Sequence, residues 1–105
     1  KELKSLLASY GTLVRKIGDE DKVSRALHAF SRRELLRKVA KISSTVKQLS
    51  ISISLSVCIT SRHLTLVRDL GFLETKTQGR QKYSQLRFPE IAAVLEQYEV
   101  MIRLL

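Results

Sequence analysis

The chain has 105 residues, of which 44% are hydrophobic and 28% charged, with no long Pro-rich or Gly-rich tract. This composition predicts one globular domain with a modest core and not a disordered chain. No apolar stretch reaches the roughly 18 residues of a membrane span, and the N-terminus lacks a signal-peptide pattern, so we expect a cytoplasmic protein. The single cysteine, Cys58, excludes an intrachain disulfide and a thiolate zinc cluster. We therefore expect neither a metal nor a cofactor.

The positive charge is concentrated in the middle of the chain. Residues 31–87 hold twelve Lys and Arg against three acids, a net +9, whereas residues 1–30 carry +2 and residues 88–105 carry −2. Lys and Arg placed against phosphates displace condensed counterions, so this asymmetry is typical of a protein that binds a polyanion such as DNA. A solvated basic surface would give the same count, and charge alone leaves the two interpretations equally open.

The chain begins with a predicted amphipathic helix over residues 2–17. Its stripe, at helical spacing, consists of Leu3, Leu6, Leu7, Tyr10, Leu13, Val14 and Ile17. Gly18 and the acids of residues 19–21 end this helix and begin a brief second one. The apolar face of the second helix consists of Val23, Ala26, Leu27 and Phe30.

Two capping boxes are predicted in the next part of the chain. Ser31 and Glu34 form the first, in which each side chain satisfies a backbone donor at the start of a third helix. The buried side of that helix consists of Leu35, Leu36, Val39, Ala40 and Ile42. Thr45 and Gln48 form the second box, ahead of a short fourth helix.

Residues 51–59 give conflicting signals. Apolar residues alternate with small polar ones, which by itself predicts a half-buried strand. The helical alternative ends the fourth helix at Ile53, turns near residues 54–55 and begins a longer helix. The inner face of that fifth helix carries Val57, Thr60, Leu64 and Val67. Gly71 then suits the position just beyond its end.

The last part of the chain predicts a hairpin and a helix. Two β-prone runs, residues 73–77 and 82–86, flank the Gly-containing connection 78–81. Pro89 begins the final helix, where its fixed φ suits the first turn. That helix has an apolar seam formed by Ile91, Val94, Leu95, Tyr98, Met101, Ile102 and Leu105. The predicted fold is therefore mainly α with a small β-hairpin, a helix-turn-helix followed directly by a two-stranded wing.

Three runs of this sequence resemble ArsR-type winged-helix repressors. SRHL at residues 61–64, with DLGFL at 69–73, is similar to their recognition helix; SRRELL at 31–36 and GRQKYSQL at 79–86 look like their preceding helix and wing. The resemblance covers about residues 26–90 and favours the helical interpretation of residues 51–59. Residues 46–52 contain no thiol and residues 90–105 no His, so the chain looks like a small archaeal-type member without the metal-binding cysteines.

The resemblance implies double-stranded DNA as the partner, with the recognition helix in the major groove and the wing along the backbone. The predicted DNA-binding residues are Lys47, Ser56, Thr60, Ser61, Arg62, Arg68, Lys76, Arg80 and Lys82. Arg62 can pair with guanine, and a phosphate contact is equally open. The cations of the third helix are interpreted as its solvated face, namely Arg32, Arg33, Arg37, Lys38 and Lys41.

Four residues of the recognition helix have competing interpretations. Thr60 shares a face with apolar residues, so partial burial is an alternative to DNA contact. Ile59 is expected to pack inside the domain, with contact to a thymine methyl as the alternative. Cys58 is expected to be a partly buried thiol and not an intersubunit disulfide. His63 is expected to be packed or exposed and not a pH switch.

The apolar stripes at both ends exceed what one small core needs, which predicts a homodimer. In the predicted single domain, helices within residues 1–18 and 89–105 dimerise and flank a winged-helix core over residues 22–88. The predicted interface consists of Leu3, Leu6, Leu7, Tyr10, Leu13, Val14, Ile17, Ile91, Val94, Leu95, Tyr98 and Ile102. Closure of the stripes onto the chain's own core is the alternative.

The function predicted from these features is sequence-specific DNA binding by a nucleoid-associated transcriptional regulator. One alternative is an architectural DNA-binding protein with little sequence preference, which the high charge and the apolar helix start favour. A second alternative is a winged-helix module that binds protein. An enzyme is not expected, because the sequence shows no nucleophile–base or metal-ligand spacing and no Gly-rich phosphate loop.

Overall fold

The structure is a computed structural model that describes residues 2–104, except for the side chains of residues 2, 3, 6, 101 and 104. Within these residues the chain forms six helices and one antiparallel hairpin, in the predicted order. The elements are α1 (Glu2–Ile17), α2 (Glu20–Leu27), α3 (Phe30–Lys41), α4 (Val46–Ile53), α5 (Val57–Asp69), β1 (Leu73–Gln78), β2 (Gln81–Leu86) and α6 (Pro89–Leu104). The prediction of a mainly α fold with a small hairpin is confirmed, and residues 51–59 are not a strand.

Helices α4 and α5 form a helix-turn-helix in which the chain bends by 110°. The predicted capping box at Thr45 is present: its Oγ1 accepts from the Gln48 backbone N–H at 3.2 Å, and Gln48 Oε1 accepts from the Thr45 N–H at 2.9 Å. Ser54 makes the turn in the left-handed region with φ 58°, at a cost of roughly 1–2 kcal/mol for a residue with a Cβ. Ser56 caps α5, since its Oγ accepts from the Ile59 N–H at 3.1 Å.

The end of α5 is closed by a Schellman motif. The N–H of Gly71 donates to Arg68 O and that of Phe72 donates to Val67 O, both at 3.0 Å. Gly71 has φ +94°, which confirms its predicted position beyond the helix end. This motif turns the chain directly into β1 and so fixes the wing relative to α5.

The predicted start of α3 is wrong. The helix begins at Phe30, two residues earlier than a cap at Ser31 requires, and its N-cap Ala29 has no side-chain hydrogen bond. The N–H of Arg33 donates to Ala29 O at 3.1 Å, so Ser31 already lies inside the first turn.

The predicted buried side of α3 is also wrong at its end. Ala40 is exposed, and Ile42 is 72% exposed because the chain becomes extended there, with φ −156°.

A single core lies between all six helices and the base of the wing. Phe72 is the largest fully buried side chain. The buried hydrophobic residues are Leu13, Val23, Ala26, Leu27, Leu35, Leu36, Val39, Leu49, Val67, Leu70, Phe72, Leu73, Ile91, Val94 and Leu95. Phe30 was predicted on the inner face of α2 but is 66% exposed, because it begins the next helix.

The terminal helices pack against each other within one chain. Lys16 Nζ lies 3.1 Å from Glu90 Oε2, and Gln97 Nε2 donates to Ser5 Oγ at 2.7 Å, so α1 and α6 run antiparallel. Four predicted interface residues are at most 2% exposed and belong to the chain's own core, namely Leu13, Ile91, Val94 and Leu95. For these four the alternative, closure onto the chain's own core, is correct.

The other predicted interface residues have different surroundings. The side chains of Tyr10, Val14 and Ile17 are partly buried and pack against the core, and that of Tyr98 is half-buried. Leu7 and Ile102 are 62% and 44% exposed, so they are available to a second chain. Leu3 and Leu6 lie outside the described side chains.

Two cations of α3 do not form a solvated face. Arg33 Nη1 donates to Leu27 O at 2.6 Å, and its guanidinium lies 5.1 Å from the Tyr98 ring centroid. Arg37 Nη1 lies 2.6 Å from Glu34 Oε1 and 3.2 Å from a Glu99 carboxylate oxygen. These cations tie α3 to α2 and α6, which corrects the sequence-based interpretation for both.

The wing is a hairpin of two six-residue strands whose two-residue turn is Gly79-Arg80. Gly79 has φ +61° at the first central position, as a type II′ turn requires. At its base, Ser44 and Ser84 exchange two backbone hydrogen bonds, Ser44 N–H to Ser84 O at 3.1 Å and Ser84 N–H to Ser44 O at 2.8 Å. This bridge, which the sequence did not indicate, joins the wing to the segment that leads into α4.

No single helix among the described residues is long and apolar enough to span a membrane. The bent pair α4 and α5 passes the same test together, by length and composition only.

Candidate nucleic-acid interface

The outer face of α5 is the centre of the candidate site. Thr60 and Val67 point into the core and are 0% exposed. Cys58, Ser61, Arg62 and Thr65 are exposed, and their spacing of three and four residues places them on one side of the helix. This side presents two hydroxyls, which can donate to or accept from base edges, and a guanidinium, which can only donate.

A cleft of about 200 Å³ separates α5 from the wing. It is lined by Val46, Ser61, Leu64, Thr65, Arg68, Leu73, Thr75, Lys82 and Ser84. Three predicted DNA-binding residues meet here, Ser61, Arg68 and Lys82. Thr65 and Thr75 line the same cleft and were missed from the sequence, although the step of four residues from Ser61 to Thr65 could have indicated the former.

A second cleft, of about 510 Å³, lies between the start of α4 and the wing. It is lined by Thr45, Val46, Lys47, Gln48, Ile51, Arg80, Gln81, Lys82 and Tyr83. Here Lys47 of the helix-turn-helix meets Arg80 and Lys82 of the wing, as a continuous track of phosphate contacts requires. Gln48 and Gln81 add amide donors that the sequence analysis did not single out.

Four predicted DNA-binding residues line neither cleft, namely Ser56, Thr60, Arg62 and Lys76. The strand register pairs Lys76 with Tyr83 and Thr77 with Lys82, so Lys76 lies on the face of the hairpin opposite to Lys82. Ser56 is exposed, but its Oγ is already engaged as the cap of α5.

Four expectations for α5 are corrected by the burial of its side chains. Thr60 is completely buried, so it does not reach a DNA surface. Cys58 is exposed and not partly buried. Val57 and Ile59 were expected to pack inside the domain, yet they are 49% and 43% exposed. Both lie in the first turn of α5, and neither belongs to the core.

The electrostatics of this surface are strongly positive. The sequence contains no Asp or Glu between Glu34 and Asp69, a stretch that includes all of α4 and most of α5. The predicted cations Lys47, Arg62, Arg68, Lys76, Arg80 and Lys82 are all exposed. Among the residues that the structure describes, the one carboxylate at ion-pair distance from them is Asp69, whose Oδ1 lies 3.6 Å from Arg68 Nε.

His63 lies behind this surface and does not add a positive charge to it at neutral pH. Partial burial lowers the pKa of His63 below its ordinary value, and the charge of Arg32 lowers the pKa further.

Together, the helix-turn-helix, the buried Schellman turn and the following hairpin define a winged helix-turn-helix domain. No family model matches the chain, and no curated protein sequence matches it. Solved structures do.

The chain is similar to the homodimeric winged helix-turn-helix DNA-binding domain of a possible ArsR-family transcriptional regulator from Mycobacterium bovis, with a TM-score of 0.72, 17% identity and coverage of 89% of this chain and 83% of that one. It is also similar to NolR from Sinorhizobium fredii, with a TM-score of 0.71, 18% identity and coverage of 87% and 89%. A third match is the cadmium metal-sensor CMTR from Mycobacterium tuberculosis, with a TM-score of 0.65, 25% identity and coverage of 73% and 80%. The resemblance to ArsR-type repressors is thus confirmed at the level of the fold.

Proposed function

We propose that the protein is a homodimeric transcriptional regulator that binds double-stranded DNA sequence-specifically, with α5 in the major groove and the wing on the backbone. The observation that carries this proposal is the exposed face of Ser61, Arg62 and Thr65, of which Ser61 and Thr65 line the first of two neighbouring clefts that both contain cations. A single helix fits the major groove, which is about 12 Å wide, and the flanking cations then lie where phosphates run. The protein would act at the nucleoid, in the cytoplasm.

The proposed dimer follows from the exposed apolar residues of the terminal helices and from a solved relative. Leu7 and Ile102 remain exposed on α1 and α6 in the single chain. The similar domain from Mycobacterium bovis is homodimeric. A two-fold dimer places two recognition helices about one DNA turn apart, which doubles the number of contacts with a palindromic site.

The phosphate contacts are tested by the salt dependence of DNA affinity. We expect Arg80→Gln with Lys82→Gln to lower affinity for every duplex and to reduce the slope of log affinity against log salt by about 1 for each phosphate that the wing no longer neutralises. The matched control is Lys22→Gln with Arg25→Gln, which removes the same charge from an exposed part of α2 outside the site. Equal slopes for the wing variant and the control would contradict the proposed role of the wing.

An architectural protein with little sequence preference is the second candidate, because the first turn of α5 exposes Val57 and Ile59 and not a row of polar base-reading groups. The test is the ratio between the affinity for the tightest duplex selected from a randomised library and the affinity for random DNA. This ratio distinguishes a regulator from an architectural protein. A regulator should prefer its site by about 10³-fold or more. A ratio near one would favour the architectural role, and no binding to any duplex would favour a winged-helix module that binds protein.

A further inference from the structure

The first turn of α5 exposes two branched apolar side chains at the point where a recognition helix meets the bases. Val57 is 49% exposed and Ile59 is 43% exposed, with the thiol of Cys58 between them. Exposed apolar surface gains free energy when a partner removes it from water. The core does not account for these two residues, because Thr60 and Val67 already fill the inner face of α5.

The surroundings of these residues indicate which partner covers them. Arg62 follows one turn later on the same helix, and Lys47, Arg68 and Lys82 line the neighbouring clefts. The absence of Asp and Glu from residues 35–68 leaves the surrounding surface positive. The partner is therefore a polyanion that also offers apolar spots close to its charges. In the major groove of DNA, the one apolar group on a base edge is the 5-methyl of thymine.

We propose that Val57 and Ile59 are specificity-determining residues that contact thymine methyl groups, so that the preferred site carries thymine opposite the start of α5. The inference rests on the proposed DNA binding and deepens it. Ser61, Arg62 and Thr65 then read hydrogen-bonding groups one turn further along the helix, while the first turn reads shape and methyl groups. This division accounts for a helix start that is apolar although it is exposed.

The test removes only the methyl group. The tightest duplex of about 24 base pairs, long enough for two half-sites one turn apart, is selected from a randomised library. Each thymine is then replaced in turn by deoxyuridine, which pairs identically but lacks the 5-methyl. We expect at least one thymine in each half-site to lose about fourfold in affinity on replacement, the factor that corresponds to burying one methyl group.

Variants assign the effect to the two residues. Val57→Ala with Ile59→Ala should still bind the selected duplex, but its affinity ratio between thymine and uracil should fall to about one. The control Ile42→Ala, which truncates an even more exposed apolar residue outside α5, should keep the wild-type ratio. Thermal melts followed by circular dichroism check that all variants are folded.

Three results would overturn the inference. In the first, the selected duplexes show no enrichment of thymine; in the second, replacement by deoxyuridine leaves the affinity unchanged at all positions; in the third, the double variant keeps the preference for thymine. In each of these the protein still binds DNA, so the proposed function stands. Failure to bind any duplex would instead remove the proposed function and the inference together.

Discussion

Thr60 is the residue at which sequence pattern and structure differ most. Its polar side chain lies near the start of the recognition helix, and for that reason the resemblance makes it a candidate for DNA contact. The structure buries it completely, and its Oγ1 has no hydrogen-bond partner among the described residues. A buried hydroxyl without a partner costs free energy and contributes nothing to DNA recognition.

We therefore expect Thr60→Val to raise the free energy of unfolding by about 1 kcal/mol, because the methyl that replaces the hydroxyl has no desolvation cost. DNA affinity should not change. Chemical denaturation measures the first quantity and fluorescence anisotropy the second. Thr60→Ser is the matched control: it keeps the hydroxyl, deletes a methyl and should destabilise. A Thr60→Val variant that is folded but no longer binds DNA would contradict this expectation and indicate that Thr60 contacts DNA.

His63 links stability to pH. Its folded-state pKa lies below the ordinary value of 6.5 because burial and Arg32 disfavour the imidazolium. The unfolded chain therefore takes up this proton first as the pH falls. The contribution of neutral His63 to stability is present above pH 6.5 and is lost between 6.5 and the lowered folded pKa.

The prediction for His63 is a pH-dependent difference between two proteins. Between about pH 7.5 and about pH 5 the wild type should lose more unfolding free energy than His63→Gln, whose side chain does not titrate. Urea denaturation measures the unfolding free energy of both proteins at each pH. The difference between the two values removes the contribution of the carboxyl groups, which both proteins share. A difference that does not change with pH would contradict the assigned pKa direction.

At the scale of elements, the sequence predicted every helix and both strands but not every boundary. The start of α4 was predictable, because Thr45 and Gln48 form a box through local hydrogen bonds. The start of α3 was not, because Ala29 caps it with no side-chain signal and the similar pattern at Ser31 is not used. A capping motif indicates that a helix start is possible, and tertiary contacts such as that of Arg33 with Leu27 O decide where the start lies.

Long-range pairing was the least predictable part of the candidate site. The Ser44–Ser84 bridge joins residues forty positions apart, and neither serine has a local pattern that indicates it. The two clefts depend on this bridge and on the Schellman turn at Gly71, since together they set the distance of the wing from α4 and α5. The sequence could supply the cations of the site, whereas their grouping around Lys82 required the fold.

For the whole molecule, the positive charge divides into two parts. Arg33 and Arg37 serve packing contacts between helices, so part of the net charge of residues 31–87 does not face a partner. The cations of α4, α5 and the wing are exposed and remain available to phosphates. Net charge alone could not make this distinction.

The oligomeric state is the second property of the whole molecule. We expect Leu7→Glu to weaken the proposed dimer at least about tenfold, because it would bury an unpaired carboxylate in the interface. Sedimentation equilibrium measures the mass over a range of concentrations. Phe30→Glu is the matched control, since Phe30 is as exposed as Leu7 but lies outside the terminal helices. A Leu7→Glu protein with the wild-type association constant would place the interface elsewhere.

The most direct test of the central claim, that the outer face of α5 enters DNA, uses Cys58. It is the single cysteine of the chain and is exposed on that face, so its thiol reports the state of the helix without a mutation. The rate of alkylation of Cys58 by a neutral maleimide is measured with and without a saturating duplex. Ser24→Cys in a Cys58→Ser background provides an exposed thiol on α2 as the control. The account predicts that DNA slows alkylation of Cys58 at least about tenfold and leaves the α2 thiol unaffected, since a base edge in contact with α5 excludes the reagent. An unchanged Cys58 rate on a fully bound protein would contradict it.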